Sequence, residues 1–141
     1  MQKAVELGVK RIVPFFSQHC NVDKINKSRL ESIVLESSKQ CGRSVLAKVD
    51  DLRSFDEIGE DDEEIYAFYE FEKDGKLKDL PPTEKKKIGI VIGCEGGFSA
   101  LEYEIMKQKG FHTLTLGKSI LRISTAVVSA VTLVKDKLGE I

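Results

Sequence analysis

The stretch Val91-Ile-Gly-Cys-Glu-Gly-Gly-Phe-Ser99 places three glycines and one acid where an apolar run ends and a helical pattern begins. Glycine reaches positive φ at little cost and lets a ligand approach the main chain, and a helix start turns unsatisfied N–H groups back toward such a loop. The chemistry on offer is therefore ligand cradling by the backbone. It is not a phosphate loop, because no Lys-Ser/Thr follows, and Gly93-x-x-Gly96-Gly97 is not the GxGxxG order of a dinucleotide fold. A plain strand-to-helix turn that needs flexible residues accounts for the loop equally well. Other reactive groups are sparse: Cys20, Cys41 and Cys94 have no CxxC spacing, and with only His19 and His112 beside them no metal motif forms.

The elements that must hold this loop follow from hydrophobic pattern. Ile88-Gly-Ile-Val-Ile92 is a short buried strand, and Ser99 caps a helix that starts near Ala100, carries Glu102 at its third position, runs over 101–109 and is stopped by Gly110. Upstream, a helix over 2–7 leads into a strand over 9–16, then a polar loop over 17–26. A helix over 27–40 turns Leu30, Ile33, Val34 and Ser37 to one side and ends at Gly42. A strand over 44–49, a short helix or turn over 51–59 and an aromatic, β-branched strand over 65–71 come next. Glu60-Asp-Asp-Glu-Glu64 reads as a solvated loop, since five adjacent carboxylates repel one another, and 73–87 as a long surface loop. The last elements are a strand over 111–116, a second glycine-led loop over 117–122 and a helix over 124–138. That helix has Ser124 and Thr125 as cap candidates and enough valine and alanine around it to be largely buried.

Alternating strands and helices predict an α/β domain, a mostly parallel sheet with helices on both faces. Ligands gather beyond the carboxyl ends of such strands, so the loops after Tyr69, Ile92 and Leu116 should open on one edge. With 141 residues and 41% hydrophobic content the chain suits one compact domain. A net charge of -1 advertises no global basic field, although a local basic face remains compatible with it. The scattered cysteines fit a reducing cytoplasm, and no apolar run is long enough to cross a membrane.

Four spaced motifs carry a resemblance. Gln2-Lys-Ala-Val-Glu-Leu-Gly-Val9, Arg29 with Gln40-x-x-Arg43, Ile92-Gly-Cys-Glu-Gly-Gly-Phe-Ser99 and Leu116-Gly-Lys-Ser-Ile-Leu-Arg-Ile-Ser-Thr-Ala126 resemble the successive signatures of the 16S ribosomal RNA uracil-N3 methyltransferase family, within the knotted SPOUT superfamily. The resemblance spans 1–141 as a single methyltransferase domain. It implies a trefoil knot in the C-terminal half, S-adenosyl-L-methionine bound there, a homodimer, and small-subunit ribosomal RNA as the partner, with no metal and no membrane. Carried over, the cofactor loops fall on Tyr69-Glu70, on Gly93, Glu95, Gly96 and Gly97, and on Leu116, Gly117, Ile120, Leu121 and Arg122. Leu116, Ile120 and Leu121 would sandwich the adenine while main-chain groups read its edge.

The implied reaction is methyl transfer to N3 of a uracil, which must first lose a proton. Arg122, with the following helix N-terminus, is the first candidate to stabilise the developing anion, and Glu95 a second group that orients ligand or accepts a proton. Arg11, Arg29 and Arg43 are candidate phosphate contacts, which would position RNA without specifying its sequence. The chain departs from the family pattern at Cys94 (usually Pro), Ser119 (usually Arg) and Ser124 (usually Glu), and near His19, where the family tends to carry Arg. The family's N-terminal PUA-like barrel is missing from the sequence, so the expectation is a fragment or a reduced form that keeps cofactor binding while losing RNA affinity.

Overall fold

The computed structural model describes residues 1–21, 24–61, 63–84 and 87–141, so parts of the expected loops at 22–23, 62 and 85–86 lie outside the described residues. In chain order the elements are α1 (Gln2–Glu6), β1 (Arg11–Ile12), α2 (Lys27–Gln40), β2 (Lys48–Val49), β3 (Glu64–Phe68), β4 (Ile88–Ile92), α3 (Ala100–Gln108), β5 (His112–Leu114) and α4 (Ile123–Lys137). Single 3-10 turns cover Phe55–Glu57 and Leu77–Asp79. Among the described residues no helix is long and apolar enough to cross a membrane.

Every ladder is parallel. β1 pairs with β2, while β3 lies between β4 and β5, with Ala67 opposite Val91 on one side and Thr113 on the other. A central parallel strand is covered on both faces, which is why β3 reads as an unbroken apolar run. Successive side chains take opposite faces. Ile65 and Ala67 join Val91, Phe98, Met106 and Phe111 on the α3 side, and Tyr66 and Phe68 join Leu114, Ala130 and Val134 on the α4 side. A third cluster of Val5, Val34, Ala47 and Val49 joins α1 and α2 to β2.

Helix α2 begins and ends where its pattern predicts. The Asn26 side chain accepts a hydrogen bond from the Arg29 N–H (3.0 Å), and Gly42 at φ +75 closes the far end. The two early strands are much shorter than expected. Pro14 lacks an N–H and interrupts the first, although the pairing resumes beyond it, where the Arg53 N–H donates to Pro14 O (3.0 Å) and the Phe16 N–H to Arg53 O (2.9 Å). In the second, Val45 and Leu46 are exposed and unpaired, so 44–47 is not strand. β3 and β5 stop at Phe68 and Leu114, short of the expected ends.

Helix α4 corrects two expectations. Its N-cap is Arg122, with no side-chain cap, and neither Ser124 nor Thr125 serves. It is also not largely buried: only Ala130, Val131 and Val134 are, while Val128 and Leu133 are 38% and 46% exposed. One chain supplies a sheet for one stripe of this helix and leaves the flanks uncovered.

The acidic run is not simply solvated. Asp61 and Glu63 face the Arg11 guanidinium at 2.7 and 3.6 Å, and Arg11 also donates through Nε to the buried Asp50 (2.9 Å), which Arg53 (3.1 Å) and Lys48 (3.3 Å) approach as well. The Arg11 hydrogen bond, helped by Lys48 and opposed by burial, holds the Asp50 carboxyl below its usual range. A lowered folded-state pKa contributes stability that is present above the unfolded value of about 4 and lost as pH falls through the folded value. Asp50→Asn should therefore flatten the acid limb of a stability profile taken by urea denaturation between about pH 6 and pH 3, besides lowering its plateau.

Candidate functional site

Parallel strands end on the same edge, and the segments leaving β3, β4 and β5 meet there around one cavity. Tyr69 and Glu70 form one wall, Ile92 to Glu95 with Gly97 a second, and Thr115 to Gly117 with Ser119 to Leu121 a third, closed by Ile123 and Ala126 of α4. Each segment is pinned locally. The Tyr69 N–H donates to Leu114 O (2.9 Å), tying the end of β3 to β5, and the Tyr69 ring stacks on Tyr103 with centroids 4.9 Å apart. The Gly97 N–H donates to Cys94 O (2.9 Å), closing a turn in which Gly97 takes φ +68. Thr115 Oγ1 accepts from the Gly117 N–H and donates to Gly117 O, both at 3.1 Å, holding the third loop.

Among the described residues the wall carries the carboxylates of Glu70 and Glu95 and no Lys or Arg. That charge repels phosphate and suits a ligand bearing positive charge. Opposite them stand Leu116, Ile120 and Leu121. Ile120 is 79% exposed, a large apolar side chain whose burial needs something in the cavity. Tyr69 is held above the usual phenol pKa by burial first and by the Glu70 charge next, so its hydroxyl stays a neutral donor. The cavity thus suits a partly apolar ligand that bears positive charge.

Comparison with known proteins fits this geometry. A family model described as an RNA methyltransferase domain matches residues 1–135. The chain belongs to that RNA methyltransferase family. It is 34% identical over 158 residues to the ribosomal RNA small subunit methyltransferase E of Buchnera aphidicola subsp. Schizaphis graminum, covering 100% of this chain and 60% of the relative. The Aquifex aeolicus protein of the same name is 36% identical over 143 residues, covering 96% and 61%. Among solved structures, a ribosomal RNA small subunit methyltransferase E from Neisseria gonorrhoeae bound to S-adenosyl methionine superposes with a TM-score of 0.86 at 29% identity, over 96% of this chain and 58% of that one. A putative methyltransferase from Legionella pneumophila, in complex with the same cofactor, gives 0.80 at 28% identity over 96% and 58%. The chain spans about 60% of the length of the curated relatives it matches.

For this member of the RNA methyltransferase family, nine of the eleven residues expected to hold cofactor line the one cavity: Tyr69 and Glu70; Gly93, Glu95 and Gly97; Leu116, Gly117, Ile120 and Leu121. Gly96 and Arg122 do not. A Cβ on Gly96 would lie 2.7 Å from His19 O, so this glycine serves contact between two loops, and the His19 ring adds a hydrogen bond from Nδ1 to Gly96 O (3.0 Å). Arg122 is exposed at the start of α4, and among the described residues it makes no ion pair. Of the expected RNA contacts, Arg11 is committed to Asp50, Asp61 and Glu63, and Arg43 to the carbonyls of Val5 (2.7 Å) and Val9 (3.0 Å). Both are taken up by internal structure, and only Arg29 stands exposed on α2. The departures Cys94 and Ser119 both lie on the cavity wall, whereas Ser124 does not.

Two positioning roles went beyond the sequence reading. Glu102 completes the expected capping box, its carboxylate accepting from the Ser99 N–H (2.8 Å) and Ser99 Oγ accepting from the Glu102 N–H (3.1 Å). The same carboxylate accepts from the Gln18 N–H (2.8 Å) and Ser17 Oγ (3.2 Å), binding the loop after β1 to the start of α3. Glu72 accepts from the N–H groups of Lys73, Asp74 and Gly75 and from the hydroxyls of Thr113 and Tyr103. It orders the chain that leaves the first wall. The capping signature foretold only half of the first role, and no local signal marks the second.

Proposed function

We propose that the chain is the catalytic domain of an S-adenosyl-L-methionine-dependent methyltransferase that modifies N3 of a uridine in 16S ribosomal RNA. The observation that carries this is the acidic, apolar-faced cavity at the ends of β3, β4 and β5. The bound cofactor would supply an electrophilic sulfonium methyl. Leu116, Ile120 and Leu121 would cover its adenine, Gly93, Gly97 and Gly117 would let the backbone read it, and Glu70 and Glu95 would face its positive charge. Glu95, exposed at the rim, is positioned to orient ligand or take the N3 proton, and Arg122 at the helix start to stabilise the uracil anion once substrate brings it inward. Arg29 remains as the phosphate contact on α2.

The same reading gives the C-terminal half a trefoil knot, the working unit two copies of the chain, and the cytoplasm as its place of action. The uncovered flanks of α4 support the dimer, because Val128 and Leu133 are apolar and exposed in a single copy. Leu133→Asp should shift sedimentation from dimer to monomer without unfolding the chain. A wild-type chain that sediments as a monomer at high concentration contradicts the dimer.

A second reading, a binding protein without turnover, draws on Ser119, which stands on the cavity wall where the family pattern has Arg. Transfer of tritiated methyl to small ribosomal subunits lacking the modification, followed by mapping of the methylated nucleoside, separates the two. The proposed activity gives N3-methyluridine at one position. Cofactor binding without transfer establishes the second reading.

A further inference from the structure

A second cavity, of about 250 Å³, shares Ile92, Gly93 and Cys94 of its lining with the first. We propose that this cavity receives the target pyrimidine base, a deduction that rests on the methyltransferase reading above. Its remaining lining comes from Val13 to Ser17, Cys20, Ile25 and Leu52, with Phe15 and Phe16 presenting aromatic rings. Phe16 is 40% exposed, free to stack on an incoming ring, while Phe15 is anchored parallel to Phe98 (9° between planes, 6.4 Å between centroids). Among the described residues the lining carries no charged side chain, which suits a neutral base and not a phosphate. Its volume lies just below the ~300 Å³ at which sites for larger ligands begin.

Chemistry demands a pocket in this place. N3 is on the Watson–Crick edge, so a uridine must leave any helix and enter a pocket before that nitrogen is reachable, and stacking on aromatic or apolar side chains holds such a base. The pocket must also adjoin the cofactor, because in-line transfer needs the reacting atoms about 3 Å apart. The two cavities have Ile92, Gly93 and Cys94 in common, so a base in the second adjoins a ligand in the first. The far wall is held in register with these residues: Glu102 fixes Ser17 and Gln18, and the His19–Gly96 contact ties the 17–20 loop to the glycine loop. This gives Gly96 a purpose that its absence from the cofactor cavity leaves open.

The test is photocrosslinking to a single-stranded oligonucleotide carrying 4-thiouridine, with crosslinked residues read by mass spectrometry, alongside cofactor calorimetry and methyl transfer to unmodified small subunits. Crosslinks at Phe15, Phe16 or Leu52 are expected. Leu52→Trp, which fills the cavity, should lower crosslinking and transfer by more than about tenfold while cofactor affinity changes by less than about twofold. If that variant loses cofactor binding through misfolding, Phe16→Ala carries the test, with a loss of about tenfold in crosslinking expected from one lost stacking contact. Crosslinks confined to other segments, or transfer indifferent to both variants, overturn the base pocket while leaving the methyltransferase reading intact. Crosslinks in the cavity from a wild-type protein that never transfers methyl retain the pocket and overturn that reading.

Discussion

Glu102→Ala is expected to destabilise the protein by about 3 kcal/mol, a fall of roughly 6–12 °C in melting temperature for a chain of this size. Glu102 is 4% exposed, and its carboxylate serves three donors: the Gln18 N–H, 84 residues away in sequence, the Ser99 N–H at its own helix start, and Ser17 Oγ. Truncation removes the N-terminal box of α3, worth about 1 kcal/mol, and leaves the Ser99 N–H, in a residue that is 6% exposed, without a partner, at about 1–3 kcal/mol. Glu102→Gln keeps one acceptor oxygen and should lose about half as much. Thermal melts of the two variants check the ordering. Equal melting temperatures for wild type and Glu102→Ala would mean that the 17–18 loop is held by other contacts.

Gly97→Val is expected to weaken cofactor binding by about 30-fold or more. Gly97 sits at φ +68, where an L side chain costs roughly 1–2 kcal/mol and a β-branched one more. A Cβ there would also overlap the Glu70 carboxylate, which lines the same cavity and must swing away to make room. The swing itself is cheap for a flexible side chain, but it removes one of the two negative charges facing the ligand. The backbone strain falls on stability, as in the control below, whereas losing a charged partner of the ligand costs about 2 kcal/mol of binding, which corresponds to the stated factor. Gly110→Val is the control, since it shares a positive φ of 74 and has nothing within 4 Å of a new Cβ, far from the cavity. It should cost stability and leave cofactor affinity alone.

The parts of this fold that were legible in sequence are those decided locally. Gly42 ends α2, Ser99 and Glu102 start α3, and the aromatic, β-branched run of β3 announced a strand. What sequence withheld depends on partners far along the chain. Helical periodicity reported that α4 is apolar around most of its circumference, but not that a single copy of the sheet covers only the stripe through Ala130, Val131 and Val134. Arg11 and Arg43 looked free for RNA because nothing near them in sequence shows the carboxylates and carbonyls they satisfy. Short strands such as β1 and β2 are defined by their pairing more than by composition. The site was partly legible for a geometric reason: parallel strands end on one edge, so three glycine- or acid-bearing loops had to meet. The contact of Gly96 with His19 was not legible, because a glycine's neighbours are set by what faces it in the fold.

On the proposed function the three-loop cavity is a cradle for a cationic, adenine-bearing ligand. Isothermal titration of the wild-type protein with S-adenosyl-L-methionine, in parallel with ATP as an adenine-bearing polyanion, tests it most directly. Saturable binding of S-adenosyl-L-methionine at one site per chain and none of ATP is expected, because Glu70 and Glu95 would face the ligand and, among the described residues, no Lys or Arg lines the wall. Absence of binding to the first, or equal binding of both, would contradict it.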